Sequence, residues 1–158
     1  MKTKVIFLIA ISFTVIFFDQ VSKSWIENKF SLYQSIQVIP NFLHITYIQN
    51  TGGAFGILAD FKGLYFKAVF ILFTFLTIGV VGFFYYKLKP NQKAPALGIA
   101  LIIGGAIGNL IDRIRLGGVI DFIDVHYYSL HWPAFNVADS AITIGSVLLG
   151  VLIFLKKW

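Results

Sequence analysis

Ala68-Val-Phe-Ile-Leu-Phe-Thr-Phe-Leu-Thr-Ile-Gly-Val-Val-Gly-Phe-Phe-Tyr-Tyr86 carries no charge from end to end and closes on a tyrosine pair suited to a membrane–water boundary. A helix rises about 1.5 Å per residue, so this stretch is long enough to cross a hydrocarbon core of roughly 30 Å. Its reading decides the fold, because three other segments have the same character. Val5 to Phe18 follows Met1-Lys-Thr-Lys4 and is continued by Val21, Trp25 and Ile26. Phe17-Phe18-Asp19-Gln20 lacks the small residues a leader peptidase needs, so an uncleaved first span is expected. Ala94 to Ile111 carries Gly98, Gly104, Gly105 and Gly108, small residues that let helix backbones approach closely in lipid. The last segment runs from Asp139 or Ser140 to Leu155, ahead of Lys156-Lys157-Trp158.

With their interfacial ends the spans cover about 5–26, 65–86, 94–112 and 139–155. In a chain of 158 residues they leave no separate soluble domain. Composition agrees: 58% of residues are hydrophobic, 13% are charged, and the mean hydropathy is +0.81. The expected fold is an all-α membrane protein of four transmembrane helices in a single membrane domain, 1–158, with a small β-cradle on its outer side. The cradle falls at about 31–58, where Gln37-Val-Ile-Pro-Asn-Phe-Leu-His-Ile-Thr-Tyr-Ile48 alternates polar and apolar residues and is rich in β-branched and aromatic ones. Thr51-Gly52-Gly53 breaks that pattern, and Ala54 to Phe61 is read as a short amphipathic interfacial helix. Residues 114–138 form a second outer loop, whose Tyr127, Tyr128 and Trp132 suit the interface.

Charge orients the spans. Both termini and the turn Lys87-Leu-Lys-Pro-Asn-Gln-Lys93 hold Lys2, Lys4, Lys87, Lys89, Lys93, Lys156 and Lys157, with no acid among them. All the acidic residues fall on the other side. The positive-inside rule therefore puts both termini in the cytoplasm. The net charge of +6 is scattered around apolar spans and forms no stripe, which excludes nucleic acid and favours anionic membrane phospholipids as partners. The chain has no cysteine, so disulfides, thiolate metal sites and cysteine nucleophiles are excluded. His44, His126 and His131 lack an HExxH spacing, and no metal or other cofactor is expected.

Two aspartates stand beside membrane-length segments: Asp121 in Gly118-Val-Ile-Asp-Phe122 and Asp139 in Phe135-Asn-Val-Ala-Asp-Ser140. A carboxylate at the centre of a membrane helix costs roughly 2.5 to 3.5 kcal/mol and less near the interface, so a pair there points to a partner or a reaction. Plainer roles exist for each. Asn136 precedes Asp139 by three, the spacing of a helix N-cap with an acid in the first turn. Asp121 has Arg113 and Arg115 nearby in sequence as ion-pair partners. Asn109 and Arg113, four apart, share a helix face. Asp19 and Lys23 have the spacing of a helix-surface ion pair or of a ligand contact, while Asp112 and Asp124 read as solvated charges.

Five blocks carry a resemblance: Asp19-Gln-Val-Ser-Lys23, Gln49-Asn-Thr-Gly-Gly-Ala-Phe55, Gly108-Asn-Leu-Ile-Asp-Arg113, Val119-Ile-Asp-Phe-Ile-Asp124 and Phe135-Asn-Val-Ala-Asp-Ser140. In this order, and spread over nearly the whole length, they resemble lipoprotein signal peptidase (signal peptidase II), with Ser22 where that family often has Thr. The resemblance implies an aspartyl endopeptidase of the bacterial cytoplasmic (inner) membrane, with its active site at the outer leaflet. Its substrates would be diacylglyceryl-modified prolipoproteins, cut just before the lipid-modified cysteine. It implies Asp121 and Asp139 as the catalytic dyad, with Asp19, Lys23, Asn50, Asn109, Arg113 and Asn136 supporting the site or touching substrate. It further implies a monomer inhibited by globomycin-type cyclic peptides. Two carboxylates sharing a proton divide the work of acid and base, with Asp139 the expected base. The competing readings are a proton-coupled transporter, whose carboxylates usually lie near the midplane, and a non-catalytic lipid-binding subunit.

Overall fold

The computed structural model describes residues 2–52 and 64–157, so the interfacial helix expected over 54–61 lies outside the described residues. Four helices form from the apolar segments: α1 (Lys2–Lys29), α2 (Leu64–Lys87), α3 (Lys93–Leu116) and α4 (Val137–Phe154). Each is long and apolar enough to cross a membrane. Their lipid-facing length explains why so many large apolar side chains are exposed, among them Phe13, Phe73, Leu76 and Val147.

α3 is the central helix. Two thirds (67%) of its apolar window is buried, against 17%, 11% and 17% for the windows of α1, α2 and α4. The glycines of α3 create that position by letting neighbours come close. A Cβ at Gly105 would run into the carbonyl oxygen of Ala138 on α4, and one at Gly108 would sit 2.6 Å from Asp19 Oδ2 on α1. At the end that holds both termini, Lys4 Nζ donates to the carbonyls of Tyr86 (3.0 Å) and Leu88 (2.7 Å), and Tyr85 Oη donates to Lys4 O (2.6 Å). Tyr85 and Leu88 then pack with Ala96, Ile99 and Ile103 in an apolar cluster.

At the opposite end α3 stops on Gly117, whose φ of 79° is the left-handed conformation that closes helices at least cost to glycine. The chain turns directly into a strand. Four strands, β1 (Ser35–Ile39), β2 (Leu43–Asn50), β3 (Val119–Tyr127) and β4 (Leu130–His131), form one antiparallel sheet in the order β1-β2-β3-β4. Half of the cradle therefore comes from residues 114–138, where only a loop was expected. Val119–Tyr127 is well suited to a strand, but its neighbour β2 lies far away in sequence, with Asn50 paired to Val119 and His44 to Asp124. A bulge between Ile45 and Ile48 adjusts β2 to this partner. Ile26 of α1 packs against Ile120 and Phe122 of β3, fixing the sheet to the helix bundle.

Candidate active site

The site is assembled where α3, α4 and β3 meet. Asn136 caps α4 in extended backbone geometry: its side-chain oxygen accepts from Asp139 N (2.9 Å), and Asp139 Oδ2 accepts from Asn136 N (3.3 Å). This capping box accounts for Asp139 as a first-turn acid. The same asparagine does more, because its Nδ2 donates to Asp121 Oδ1 at 2.8 Å. Asn136 thus holds both aspartates at once. Asp121 Oδ2 also accepts from Asn50 Nδ2 (3.0 Å), while Asn50 Oδ1 accepts from Gly52 N (2.9 Å), an arrangement that turns the amide donor towards the carboxyl group. Asp139 Oδ1 accepts from Asn109 Nδ2 at 2.8 Å.

Beneath these lies a buried ionic centre. Lys23 Nζ donates to Asp19 Oδ2 (2.8 Å) and Asn109 Oδ1 (2.9 Å) and pairs with Asp112 Oδ2 (2.9 Å), which uses its three N–H donors. Asp19 Oδ1 accepts from Ala138 N (2.9 Å) and Asp112 Oδ2 from Ile120 N (3.2 Å), so the centre grips the first turn of α4 and the start of β3. Gln20 Nε2 bridges Asp19 and Asp112, 3.1 Å from each. Lys23, Asp19 and Asp112 are all fully buried. This corrects two expectations. The Asp19–Lys23 pair is buried instead of on the helix surface and does not line the cavity that Asp121 and Asp139 face, and Asp112 is not solvated. An i, i+4 spacing reads the same on either face of a helix, and only the packing of α1 on α3 decides which one is dry. Asp124, also expected to be solvated, is bonded by His131 (2.8 Å).

Neither arginine forms an ion pair with Asp121 among the described residues. Arg115 Nη2 pairs with Glu27 Oε2 (2.8 Å), and the Arg113 guanidinium lies 5.5 Å from the centre of the Phe70 ring. Burial and the neighbouring Asp139 push the Asp121 carboxyl from 3.8 up to about 7, against the opposing hydrogen bonds from Asn50 and Asn136 and the charge of Lys23. Asp121 therefore keeps its proton through the mildly acidic range.

Asp121 and Asp139 face one cavity of about 670 Å3. Asn50, Asn109 and Arg113 complete its polar side, while Phe70 and Phe73 of α2 and Ile142 of α4 line its apolar side. The expected residues divide into two groups. Asp121, Asp139, Asn50, Asn109 and Arg113 reach the cavity, whereas Asp19 and Lys23 act behind it and Asn136 is buried between the two groups. Gln20 and Asp112 were missed as supporting residues, although both lie inside the quoted sequence blocks.

Two solved structures, each described as a bacterial membrane enzyme, share this architecture. One is 37% identical, with a TM-score of 0.81, over 95% of this chain and 87% of that one; the other is 34% identical, with a TM-score of 0.82, over 92% and 91%. The class is a multi-pass bacterial membrane protein. Among relatives named lipoprotein signal peptidase, one from Geobacter sulfurreducens is 51% identical over 84% of this chain and 82% of its own length. Another, from Syntrophotalea carbinolica, is 44% identical over 96% and 90%. A family model described as signal peptidase (SPase) II matches residues 11–155, and the chain belongs to that family. The transporter and lipid-binding-subunit readings find no support among these relatives.

Proposed function

We propose that this protein removes signal peptides from diacylglyceryl-modified prolipoproteins, cutting before the lipid-modified cysteine, and that it does so as an aspartyl endopeptidase. The observation that carries the reading is Asn136, which bonds Asp121 and caps Asp139 while both carboxyl groups face the same cavity. In this reading Asp121 carries the shared proton and Asp139 is the carboxylate of the pair. Asp139 takes a proton from the attacking water as Asp121 gives its own to the scissile carbonyl oxygen, forming a neutral tetrahedral diol. On collapse the nitrogen leaves with the proton held by Asp139, and Asp121 recovers its proton from the diol hydroxyl. The reaction needs no covalent intermediate.

Asn50, Asn109 and Asn136 hold the carboxyl groups in place, and Lys23 with Asp19 holds Asn109 and the start of α4. Arg113 orients the polar part of the substrate near the modified cysteine. The wall of Phe70, Phe73 and Ile142 accepts apolar parts of the lipidated substrate, in a monomer whose termini are cytoplasmic and whose cavity opens at the outer leaflet. Globomycin-type cyclic peptides would compete for the same cavity. The test is a gel-shift cleavage assay on purified protein in detergent with a diacylglyceryl-modified prolipoprotein, comparing the parent with Asp121→Asn and Asp139→Asn. Each variant should bind substrate and leave it uncut. Near-normal turnover by either would remove that aspartate from the dyad.

A further inference from the structure

The cavity does not end at Asp121 and Asp139. It continues away from the sheet as a trough between α2 and α4, which each pack along α3 and scarcely touch one another among the described residues. On α2 its wall is Phe70, Phe73, Thr74 and Thr77, the i, i+3, i+4, i+7 stripe of a single helix face. On α4 it is Thr143 and Ile144, one turn beyond Asp139, and on α3 the floor is Ala106, beyond Asn109. Arg113 stands over the Phe70 ring at the mouth. Phe73 and Ile144 are well exposed, so the trough is open sideways to lipid.

Its depth is definite. Phe70 to Thr77 and Arg113 to Ala106 are each two turns, or about 10 Å at 1.5 Å per residue. Further along it is closed, because Val81 of α2 and Leu149 of α4 both pack on the apolar cluster that contains Ile99 and Ile103. An extended chain advances about 1.2 Å per bond, so about eight carbons reach the end.

The lining decides what can lie there. Thr74 Oγ1 donates to the carbonyl of Phe70 (2.7 Å) and Thr77 Oγ1 to that of Phe73 (2.9 Å), so both hydroxyl protons are spent within α2. Ser140 Oγ is likewise bonded to the carbonyl of Asn136 (2.9 Å). Among the described residues lining the trough beyond Asn109, only Thr143 keeps a hydroxyl proton to offer, too few for the backbone carbonyls of an extended peptide. A helix is excluded by size. A 10 Å length of helix, 10–12 Å across, displaces roughly 800 to 1,100 Å3, and the whole cavity holds about 670 Å3. An alkyl chain needs neither donors nor width.

We propose that the trough holds one acyl chain of the diacylglyceryl group, on the prolipoprotein substrate already proposed, with its first carbons at Phe70 beneath Arg113 and about the eighth at Thr77 and Ile144. Thr77 and Ile144 are then specificity-determining residues. They set how much of the chain must be slim, and later carbons leave sideways into lipid.

The experiment uses the full-length protein in one detergent, with an ordinary diacylglyceryl prolipoprotein and two isomers of it. Both isomers carry the same phenyl ring in each acyl chain, at about carbon 5 in one and about carbon 14 in the other, on either side of the trough's end. Equal carbon counts give them equal affinity for the micelle. The inner ring should lower kcat/KM at least tenfold, the usual scale of overpacking, and the outer ring by less than about twofold. Thr77→Phe, which fills the far end, should lower kcat/KM on the ordinary substrate by a factor similar to that of the inner ring, whereas Leu72→Phe, at a position 69% exposed on the lipid side of α2, should not. The isomer comparison needs no variant and decides alone if Thr77→Phe does not fold. Equal rates on the two isomers, or a Thr77→Phe protein with the parent's kcat/KM, overturn the acyl-chain site and leave the peptidase standing. A ring in the apolar part of the signal peptide should matter less than the inner ring; a larger loss there gives the trough to the peptide and overturns the assignment. If the parent leaves the ordinary prolipoprotein uncut, the proposed function falls and this site with it.

Discussion

Asp121→Asn should make the stability of this protein less sensitive to pH, by an amount the structure sets. In the parent, the Asp121 carboxyl titrates near 3.8 when unfolded and at about 7 when folded. Between those values the unfolded chain gives up the proton that the folded chain retains. The folded value is raised, so stability is lost as pH rises through this window and is lowest above it. Each pH unit inside the window is worth about 1.4 kcal/mol, so raising the pH from about 5 to about 7 should cost the parent roughly 2 to 3 kcal/mol from this group. Asparagine cannot ionise and has the shape of the protonated acid. The amide nitrogen cannot accept the bond that one carboxyl oxygen takes from Asn50 or Asn136, but this offset does not depend on pH and leaves the slope unchanged. Thermal melts of parent and variant followed by tryptophan fluorescence, at several pH values in one detergent, give the difference directly. The variant should gain on the parent steadily from about pH 5 to about pH 7 and then level off. A difference that stays flat across that range would refute a raised Asp121, and with it the assignment of Asp121 as the proton donor.

Lys23→Met should lower stability by about 3 to 5 kcal/mol, because it leaves Asp19 and Asp112 buried without their cation; melting temperature and folded yield report it. Single cysteines at Gln34 and Ser129 should react with a membrane-impermeant maleimide from outside intact spheroplasts, and one at Gln92 only after permeabilisation. Labelling at Gln92 from outside would reverse the orientation. Removing the diacylglyceryl group from a prolipoprotein should reduce kcat/KM by orders of magnitude in identical micelles, because the acyl chains anchor the scissile bond at about 0.8 kcal/mol per buried CH2. Equal rates on both substrates would make this a general membrane protease.

The helices were legible because lipid imposes a length and an apolarity that few other environments require, and Ala68 to Tyr86 satisfies both without interruption. Asp121 and Asp139 were legible as a candidate pair for the converse reason: they stand where charge is costly. The strand β3 was not. Its pairing with β2 joins Asn50 to Val119 across two transmembrane helices, α2 and α3, and no local pattern specifies a partner that distant. The depth of Lys23 was hidden as well, since a lysine four residues after an aspartate reads as a surface pair until Asn109 and Asp112 arrive from α3 to enclose it. The bond between His131 and Asp124 depended on strand register in the same way, with His44 opposite Asp124 and His131 opposite His126.

Asn136 is at once the cap of α4 and the link between the two aspartates, and the amide of Ala138 beside it is held by Asp19 of α1. The paired geometry of Asp121 and Asp139 therefore requires the last helix to have formed its first turn and docked on the first helix. A chain still emerging from the insertion machinery, with three helices in the membrane and the fourth unmade, carries Asp121 without its counterpart. On the proposed mechanism, hydrolytic competence arrives only with complete assembly, so a half-built chain in the membrane cannot cut.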